Sequence, residues 1–286
     1  MPTKEQRSRI ASDHLARTRG LFAAETQASI DAVKIYEDGE GRELELGDPA
    51  FDNTVAVTAW KPILDAIAQA SGRVCVVDPA NFTRAGGNFE NGAWDPESQI
   101  CSQSNLYLVL KGLERTFHKA NKHFFRGGLA SDRAMFIPDV VFTAEGVMAT
   151  RDVIVISPVN RKMALENHRS EAECDHDFAN RIETIMRIAA ANGVETLVVG
   201  DFGCGYMGND PSVVAGLFSK WIEEHPGQIK RVVFAIGGGP SLDAFREVFP
   251  EEERPVVESA ESTEEVEEDE FEIDVEPVED GRWVFD

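Results

Sequence analysis

The sequence is poor in cysteine, and it contains neither a long apolar run nor a cluster of basic residues. Its cysteines, Cys75, Cys101, Cys174 and Cys204, lie far apart and form no Cys-x-x-Cys pair, which excludes a zinc knuckle and a disulfide framework. No apolar stretch approaches the roughly 18 to 20 residues that span a bilayer, and the first residues do not resemble a signal peptide. We therefore expect an intracellular protein, cytoplasmic or nuclear, that has reduced thiols and no contact with membranes.

Acidic residues outnumber basic ones in this chain of 286 residues. There are 51 Asp and Glu against 28 Lys and Arg, which gives a formal net charge of −23. Phosphate backbones would be repelled by such a surface, so we expect no general binding of DNA or RNA. Hydrophobic residues make up 42% of the chain, which is enough for a folded core.

The negative charge is concentrated at the carboxyl end. Residues 251–286 contain 17 acidic residues and only two arginines, Arg254 and Arg282. A segment with so few apolar residues cannot bury enough surface to offset the entropy lost on ordering, so we predict a disordered acidic tail. One hypothesis for the tail is a docking arm for a protein partner, which would make the chain an interaction protein.

The rest of the sequence has the pattern of an α/β fold. Residues 3–33 have helical spacing, and residues 37–48 suggest a loop or short strand. Short apolar runs then alternate with helical segments, which predicts a largely parallel sheet covered on both faces. The predicted strands are 54–58, 73–77, 134–137, 153–156, 196–199 and 232–236, and the clearest helices are 63–70, 175–192 and 211–224 with Asp210 as its N-cap.

Two glycine-containing segments follow predicted strands, where ligands of open α/β sheets bind. The first follows the strand at 73–77 and contains Asn81, Gly86, Gly87 and Gly92. It is longer than a dozen residues, and loops of that length are more often functional than accidental.

The second segment has four glycines between positions 200 and 208, followed by a helix from Pro211. Strand, glycine loop and helix in this order turn backbone amides and the positive end of a helix dipole toward an anion, which predicts a phosphate or diphosphate site. Gly203, Gly205 and Gly208 also satisfy the GxGxxG pattern of dinucleotide-binding proteins. An NAD(P)-dependent oxidoreductase is therefore an alternative, although Asn209 and Asp210 delay the helix beyond the third glycine.

Several motifs together resemble one family. The segment Gly-Cys-Gly-Tyr-Met-Gly-Asn-Asp-Pro at 203–211 is similar to the diphosphate loop Gly-Cys-Gly-Ala-Phe-Gly-Asn-Asp-Pro of the microbial-type poly(ADP-ribose) glycohydrolases. Further matches are Ser131-Asp, Ile137-Pro-Asp-Val and Ile156-Ser-Pro-Val-Asn. Residues 5–249 thus resemble this family, whose members have the macrodomain fold. The resemblance implies a three-layer sandwich with a mixed, largely parallel sheet, divided into a helical N-terminal extension packed on the core (1–50), an ADP-ribose-binding domain (51–250) and the disordered tail (251–286).

The resemblance also implies site residues. The family's catalytic loop is a triple glycine, a spacer and Gln-Glu-Glu; here Gly86-Gly-Asn and Pro96-Glu-Ser stand at those positions. Glu97 matches the first glutamate, whereas the second, the family's general acid, is Ser98. Val77-Asp-Pro-Ala-Asn resembles the Val-Asn-x-Ala-Asn strand end of macrodomains. The implied ligand-binding residues are Asn81, Gly86, Gly87, Asn88, Gly203, Cys204, Gly205, Tyr206, Met207, Gly208 and Asn209.

The departure at position 98 concerns the chemistry directly. Cleavage of a ribosyl bond needs a carboxylic acid with a raised pKa to protonate the leaving oxygen, and a serine hydroxyl cannot supply that proton near pH 7. We predict a domain that binds ADP-ribose or ADP-ribosylated protein or polymer, with hydrolysis weakened or lost. The alternative within the family is an active glycohydrolase that uses Glu97. We expect no cofactor and no metal.

Overall fold

The N-terminal segment forms two helices and not one. In the computed structural model, which describes residues 2–143, 146 and 148–252, α1 spans Lys4–Leu21 and α2 spans Ala23–Ala32. Thr3 caps α1 through a reciprocal pair of hydrogen bonds with Gln6, the capping box. The chain turns at Phe22, which interrupts the helix predicted over residues 3–33. A short strand that the sequence pattern did not predict follows, β1 (Lys34–Tyr36).

Seven strands form a single mixed sheet in the described part of the chain. The others are β2 (Val55–Ala59), β3 (Val74–Pro79), β4 (Ala134–Phe142), β5 (Ala149–Ile156), β6 (Thr196–Val199) and β7 (Arg231–Ala235). Their order is β1-β4-β5-β3-β6-β7-β2, in which β5, β3, β6, β7 and β2 are parallel and β4 is antiparallel to both of its neighbours. All six predicted strands are present, and β4 continues past its predicted end through a register shift between Ile137 and Val140.

Helices cover both faces of the sheet, because alternate strand residues point to opposite sides. On one face, Cys75 and Val77 of β3 pack with residues of α7 (Glu171–Ala191), α8 (Pro211–Glu224) and α9 (Pro240–Val248). On the other, Val74 and Val76 pack with α1, α3 (Ile63–Gln69), α4 (Pro96–Ser102) and α5 (Leu106–Gly112). The remaining helix, α6, is Arg161–Glu166. The predicted α/β three-layer sandwich is confirmed.

The end of the described chain is tied to the edge strand β2. The Thr58 amide donates to the Pro250 carbonyl, and the Glu252 amide donates to the Thr58 carbonyl, both at 2.8 Å. The Glu252 carboxylate also forms ion pairs with Lys61 (2.5 Å) and Arg231 (2.9 Å). Glu251 and Glu252 were predicted to belong to the tail, but they pair with the sheet. The rest of the predicted tail, residues 253–286, lies outside the described residues.

None of the helices that the structure describes is both long enough and apolar enough to cross a lipid bilayer.

Candidate functional site

Both predicted segments lie at the same edge of the sheet. Strand β3 pairs in parallel with β6, so the loops that follow these strands leave from adjacent positions at the carboxyl edge. The segment after β5 joins them: the Ala80 amide donates to the Ile156 carbonyl (3.1 Å), and the Asn209 side chain donates to the Val159 carbonyl (2.9 Å). The fold therefore brings the two segments together, as the sequence predicted.

The first loop is a tight turn that places glycines against the residues behind it. The Asn81 side-chain carbonyl accepts hydrogen bonds from the amides of Thr83 (3.2 Å) and Arg84 (3.0 Å), which orders the start of the turn. Gly86 and Gly87 both have positive φ. A Cβ at Gly86 would collide with the ring of Tyr107, so only glycine fits there. The Asn88 side chain is exposed beside the loop and accepts a hydrogen bond from Arg84.

Glu97 lies in the first turn of α4 and points inward. Asp95 caps this helix by accepting a hydrogen bond from the Ser98 amide (2.8 Å), and Pro96 occupies the first helical position. This turn leaves the Glu97 side chain only 3% exposed, with Oε2 accepting a hydrogen bond from the Asn81 amide at 2.9 Å. A Cβ at Gly87 would lie 2.9 Å from the same oxygen. Asn81, Gly87 and Glu97 therefore meet at one point.

The environment of Glu97 favours its protonated form. Burial raises the pKa of Glu97 well above its usual range, and the charge of the nearby Asp78 raises it further. The amides of Asn81 and Gly86 oppose this effect by stabilising the carboxylate, but they are the weaker influence. The second oxygen, Oε1, has no hydrogen-bond partner among the described residues. Glu97 thus has the character of a buried carboxylic acid with one oxygen uncommitted.

Ser98 is buried behind Glu97. Its side chain is 1% exposed, and its hydroxyl has no hydrogen-bond partner in the described structure. A hydroxyl in this position has no acidic proton to transfer near neutral pH. Of residues 97 and 98, only Glu97 can act as a general acid.

The second loop, residues 200–208, is shaped by glycines with positive φ. The values are 73° at Gly203, 62° at Gly205 and 83° at Gly208. A Cβ at Gly203 would lie within 3.0 Å of three side-chain atoms, whereas a Cβ at Gly205 would meet nothing within 4 Å. Gly203 is therefore needed for close packing, and Gly205 faces open space.

Two amides of this loop donate to carbonyls of the loop itself, and at least one amide has no partner among the described residues. The Cys204 amide donates to the Asp201 carbonyl (2.9 Å) and the Gly208 amide to the Gly205 carbonyl (3.1 Å). The Tyr206 amide donates to no residue that the structure describes. Helix α8 begins at Pro211 with Asp210 as its N-cap, as predicted. An exposed amide beside a helix N-terminus is a favourable environment for an anionic group.

The side chains of this loop differ in their orientation. The Asn209 amide group is buried, and it donates to the Gly203 carbonyl (2.7 Å) as well as to Val159, so it holds the loop in shape. The Cys204 thiol is buried too, and burial raises its pKa to about 12. Tyr206 is 84% exposed, with the Lys162 ammonium 5.8 Å from its ring centre, and Met207 is half-buried. Tyr206 is therefore the most exposed side chain of this part of the loop.

Three features of this edge were not predicted as site residues. Residues 237–239 are three exposed glycines after β7, and a Cβ at any of them would meet nothing within 4 Å. Trp60, after β2, is 59% exposed and donates from Nε1 to the Gly237 carbonyl at 3.2 Å. Asp78, at the end of β3, is fully buried. The run of glycines at 237–239 could have been found from the sequence, because it follows a predicted strand. The burial of Asp78 beneath Glu97 depends on the fold and could not.

Helix α1 supports the first loop from behind. Arg7 donates from Nε to the Gly92 carbonyl (2.8 Å), and the Ser8 hydroxyl donates to the Glu90 carbonyl (2.6 Å). Gly92 has positive φ, and a Cβ there would collide with the Lys4 carbonyl. The N-terminal helix therefore contacts the backbone of the loop that precedes α4.

Comparisons with known proteins agree with this fold. Residues 11–145 match the family model for the catalytic domain of microbial-type poly(ADP-ribose) glycohydrolase (PARG), a stretch that includes Asn81 and Glu97 but not the loop at 200–208. No curated protein matches the chain.

Solved structures of bacterial PARGs share the architecture. PARG from Thermomonospora curvata superposes with a TM-score of 0.76 at 22% identity, covering 86% of this chain and 100% of that one. A structure of the T. curvata enzyme bound to the inhibitor ADP-HPD gives a TM-score of 0.74 at the same identity and coverage. PARG from Deinococcus radiodurans in complex with ADP-ribose gives 0.68 at 21% identity, covering 78% of this chain and 96% of the other. The resemblance to microbial-type PARG is confirmed.

Proposed function

We propose that this chain, a relative of the microbial-type poly(ADP-ribose) glycohydrolases, binds an ADP-ribosyl group at the carboxyl edge of its sheet and hydrolyses the ribosyl bond with Glu97. The observation that carries the proposal is the inward position of Glu97, whose Oε2 accepts from the Asn81 amide at 2.9 Å. The similar bacterial PARGs include one solved with ADP-ribose and one with the inhibitor ADP-HPD, which supports this choice of ligand.

The order of the strands indicates how the ligand would be oriented along the carboxyl edge of the sheet. The loop after β3, with Asn81, Gly86, Gly87 and Asn88, would surround the distal ribose beside Glu97. The loop after β6 would hold the diphosphate through the backbone of residues 203–209. The adenosine then extends toward β7 and β2, where the exposed Trp60 ring lies. Three strand spacings of about 4.8 Å separate β3 from β2, a span of about 14 Å that suits a dinucleotide-sized ligand.

Glu97 would act on the leaving group. As the bond between the anomeric carbon and the leaving oxygen breaks, the carboxylic acid of Glu97 donates its proton to that oxygen. A water molecule then bonds to the anomeric carbon of the oxocarbenium-like sugar and returns a proton to Glu97. The products are a free ADP-ribose terminus and the released hydroxyl, and the enzyme regains its starting protonation state.

Ser98 favours a second candidate, a domain that binds ADP-ribose without hydrolysing it. Loss of a general acid typically lowers a rate by about two to four orders of magnitude. If Glu97 does not replace the missing carboxyl, the domain would recognise ADP-ribosyl groups without cleaving them, which is a reader function. The oxidoreductase alternative gains no support from the geometry, because α8 begins only at Pro211, beyond Asn209 and Asp210. A comparison of the thermal shifts caused by NADH and ADP-ribose tests it directly.

Residues 1–50 would act as a support for the catalytic loop, residues 51–252 as the ADP-ribose-binding domain, and residues 253–286 as an acidic tail open to a protein partner.

Calorimetry with ADP-ribose and a release assay on ADP-ribosylated polymer and protein test the function. We expect binding, slow turnover, and a loss of at least about a hundredfold in turnover for Glu97→Gln with binding retained. Ser98→Ala is the matched control, because it alters the adjacent buried position in α4 without touching the carboxyl, and it should preserve turnover. Absence of binding at millimolar ADP-ribose would refute the proposal. Binding with no turnover would support the reader function, and turnover that survives Glu97→Gln would show that Glu97 is not the acid.

A further inference from the structure

A second buried carboxyl lies beneath Glu97. Asp78 is in β3, where residues two apart point to the same face, so it shares a face with Val74 and Val76, which pack toward α3 and α4. Its side chain is 0% exposed, and neither carboxylate oxygen has a hydrogen-bond partner among the described residues. A buried carboxylate without a partner is strongly disfavoured, so this residue requires a physical explanation.

Oxygen atoms without partners are concentrated at this point. Besides the two of Asp78, Glu97 Oε1 and the Ser98 hydroxyl in α4 are buried without hydrogen-bond partners in the part of the chain that the structure describes. Helix α4 packs directly on β3. Asp95, at the N-cap of α4, disfavours ionisation of both carboxyls. The pair in turn acts on Cys101, one turn after Glu97, whose thiol has a raised pKa because of burial and the charge of Asp78.

No basic side chain among the described residues is a resolved influence on the pKa of either carboxyl. The charges with the largest influence on Asp78 and Glu97 are those of Asp95 and of Asp78 itself, and all of them disfavour ionisation. Within residues 2–143, 146 and 148–252, no three acidic, histidine or cysteine side chains are arranged so that they could hold a metal ion. Two carboxylates that are buried together without a cation cannot both ionise at ordinary cost, so ionisation of one carboxyl opposes ionisation of the other.

The same two positions are where this chain departs from the patterns it resembles. The macrodomain strand end has Asn where this chain has Asp78, and the family's catalytic motif has a second glutamate where this chain has Ser98. One carboxyl is thus absent from α4 and one is added on the strand beneath it. We propose that Asp78 is a positioning residue that replaces the missing carboxyl: its buried, unpartnered side chain on the strand beneath α4 keeps Glu97 in its acid form at neutral pH. This inference rests on the proposed function for its catalytic meaning, but it concerns the apoprotein.

The test is the titration of the Glu97 carboxyl, followed by ¹³C NMR in apoprotein that is labelled at the glutamate and aspartate carboxyl carbons. The Glu97 signal is the one absent from Glu97→Gln. We expect a midpoint well above that of an ordinary glutamate, and a fall of at least about one pH unit in Asp78→Asn. Asp95→Asn is the matched control: it removes the same charge from an exposed position, Asn also caps helices well, and it should shift the midpoint much less.

Activity provides the second measurement. If the chain hydrolyses ADP-ribosyl substrates, the alkaline limb of its kcat profile should move to lower pH in Asp78→Asn by the same amount as the Glu97 midpoint, with KM unchanged. A folded Asp78→Asn with an unchanged midpoint would overturn the inference. If Asp78→Asn does not fold, the wild-type spectra provide the test. Ordinary titration midpoints for both carboxyls in the wild type would overturn the inference. If ADP-ribose fails to bind while the Glu97 midpoint shifts as expected in Asp78→Asn, the proposed function is wrong, but the effect of Asp78 on Glu97 is confirmed.

Discussion

Glu97 shows how two neighbouring residues determine the chemistry of a third. Asp95 and Pro96 begin α4 at this point, and the first helical turn directs Glu97 away from solvent and against Gly87. Burial then raises the pKa of this glutamate well above its usual range, which favours the protonated form. Since ionisation of such a group opposes folding, the proposed function and the stability of the protein are in conflict at this residue.

That conflict predicts a pH-dependent effect of Glu97→Gln on stability. The pKa of Glu97 is raised in the folded state, so above the pKa of an unfolded glutamate, about 4.3, the stability of the wild type falls until the pH passes the folded pKa. The glutamine variant lacks this loss, and its side-chain carbonyl can still accept from the Asn81 amide. We expect equal Tm values near pH 4 and a variant more stable by about 2 °C or more at pH 8. Thermal unfolding followed by circular dichroism between pH 4 and 8 measures this.

A difference in Tm that stays constant across that range would mean that the Glu97 carboxyl is not perturbed by the fold. Ser98→Ala is again the control, because it has no titratable group to lose and its Tm difference from the wild type should not depend on pH.

Helix α1 belongs to the site although it lies far from it in sequence. Its residues Arg7 and Ser8 donate to backbone carbonyls of the loop between Gly87 and α4, and its backbone leaves room only for glycine at position 92. The loop contains one short 3-10 helix, Phe89–Asn91, and the contact with α1 adds two hydrogen bonds that hold its backbone. A support of this kind is what positions a catalytic group within a few tenths of an ångström.

We therefore predict that Arg7→Ala loosens the catalytic loop. The variant loses a hydrogen bond between a charged donor and the Gly92 carbonyl, which corresponds to about 1.5 to 3 kcal/mol for bonds of this kind. We expect a lower Tm and a turnover reduced more than ADP-ribose affinity, because Glu97 is displaced while the diphosphate loop is unchanged. Calorimetry and the release assay separate these two effects.

Arg9→Ala is the matched control, because Arg9 carries the same charge on the same helix and its side chain is exposed. A similar loss in both variants would point to a general effect of charge and not to support of the loop.

The net charge of the chain would act on the proposed ligand at long range. Residues 253–286 contain fifteen acidic residues and two arginines, a net charge of −13 out of −23. The proposed ligand carries a negative diphosphate, and like charges repel over about 30 Å at 0.01 M salt but only about 8 Å at physiological ionic strength. If the proposed function is correct, the backbone amides of the glycine loop attract the diphosphate against the field of the protein.

Deletion of residues 253–286 should consequently strengthen ADP-ribose binding at low salt. We expect a gain in affinity of roughly twofold or more at 10 mM salt that disappears at 500 mM. The deletion retains Glu252 and its ion pairs with Lys61 and Arg231, so the sheet edge stays intact. Titration calorimetry at both salt concentrations gives the comparison, and uncharged adenosine serves as the control ligand.

An equal gain for adenosine would indicate that the deleted segment obstructs the site and does not act through its charge. No gain for either ligand would mean that the charge of the tail does not reach the site.

Local patterns were sufficient to predict the α/β class, the six longer strands and the start of α8 at Pro211, because apolar alternation and helix caps are read within a few residues. They were also sufficient to predict that the loops after β3 and β6 share one edge, since parallel strands end together. The sequence did not predict β1, because three residues carry too little pattern, or that Glu251 and Glu252 pair with β2, because their composition is that of the tail.

The protonation of Glu97 could not be obtained from the sequence. As part of a glycine-rich connection, Pro96-Glu-Ser is compatible with an exposed carboxylate, and Asp78 is compatible with a solvated strand end. Both are buried because α4 packs on β3 and excludes water from the space between them, which is a contact between segments about twenty residues apart. Residue identities and order thus determined which groups are available and where the strands end. Packing alone determined which of those groups are removed from solvent and therefore have a shifted pKa.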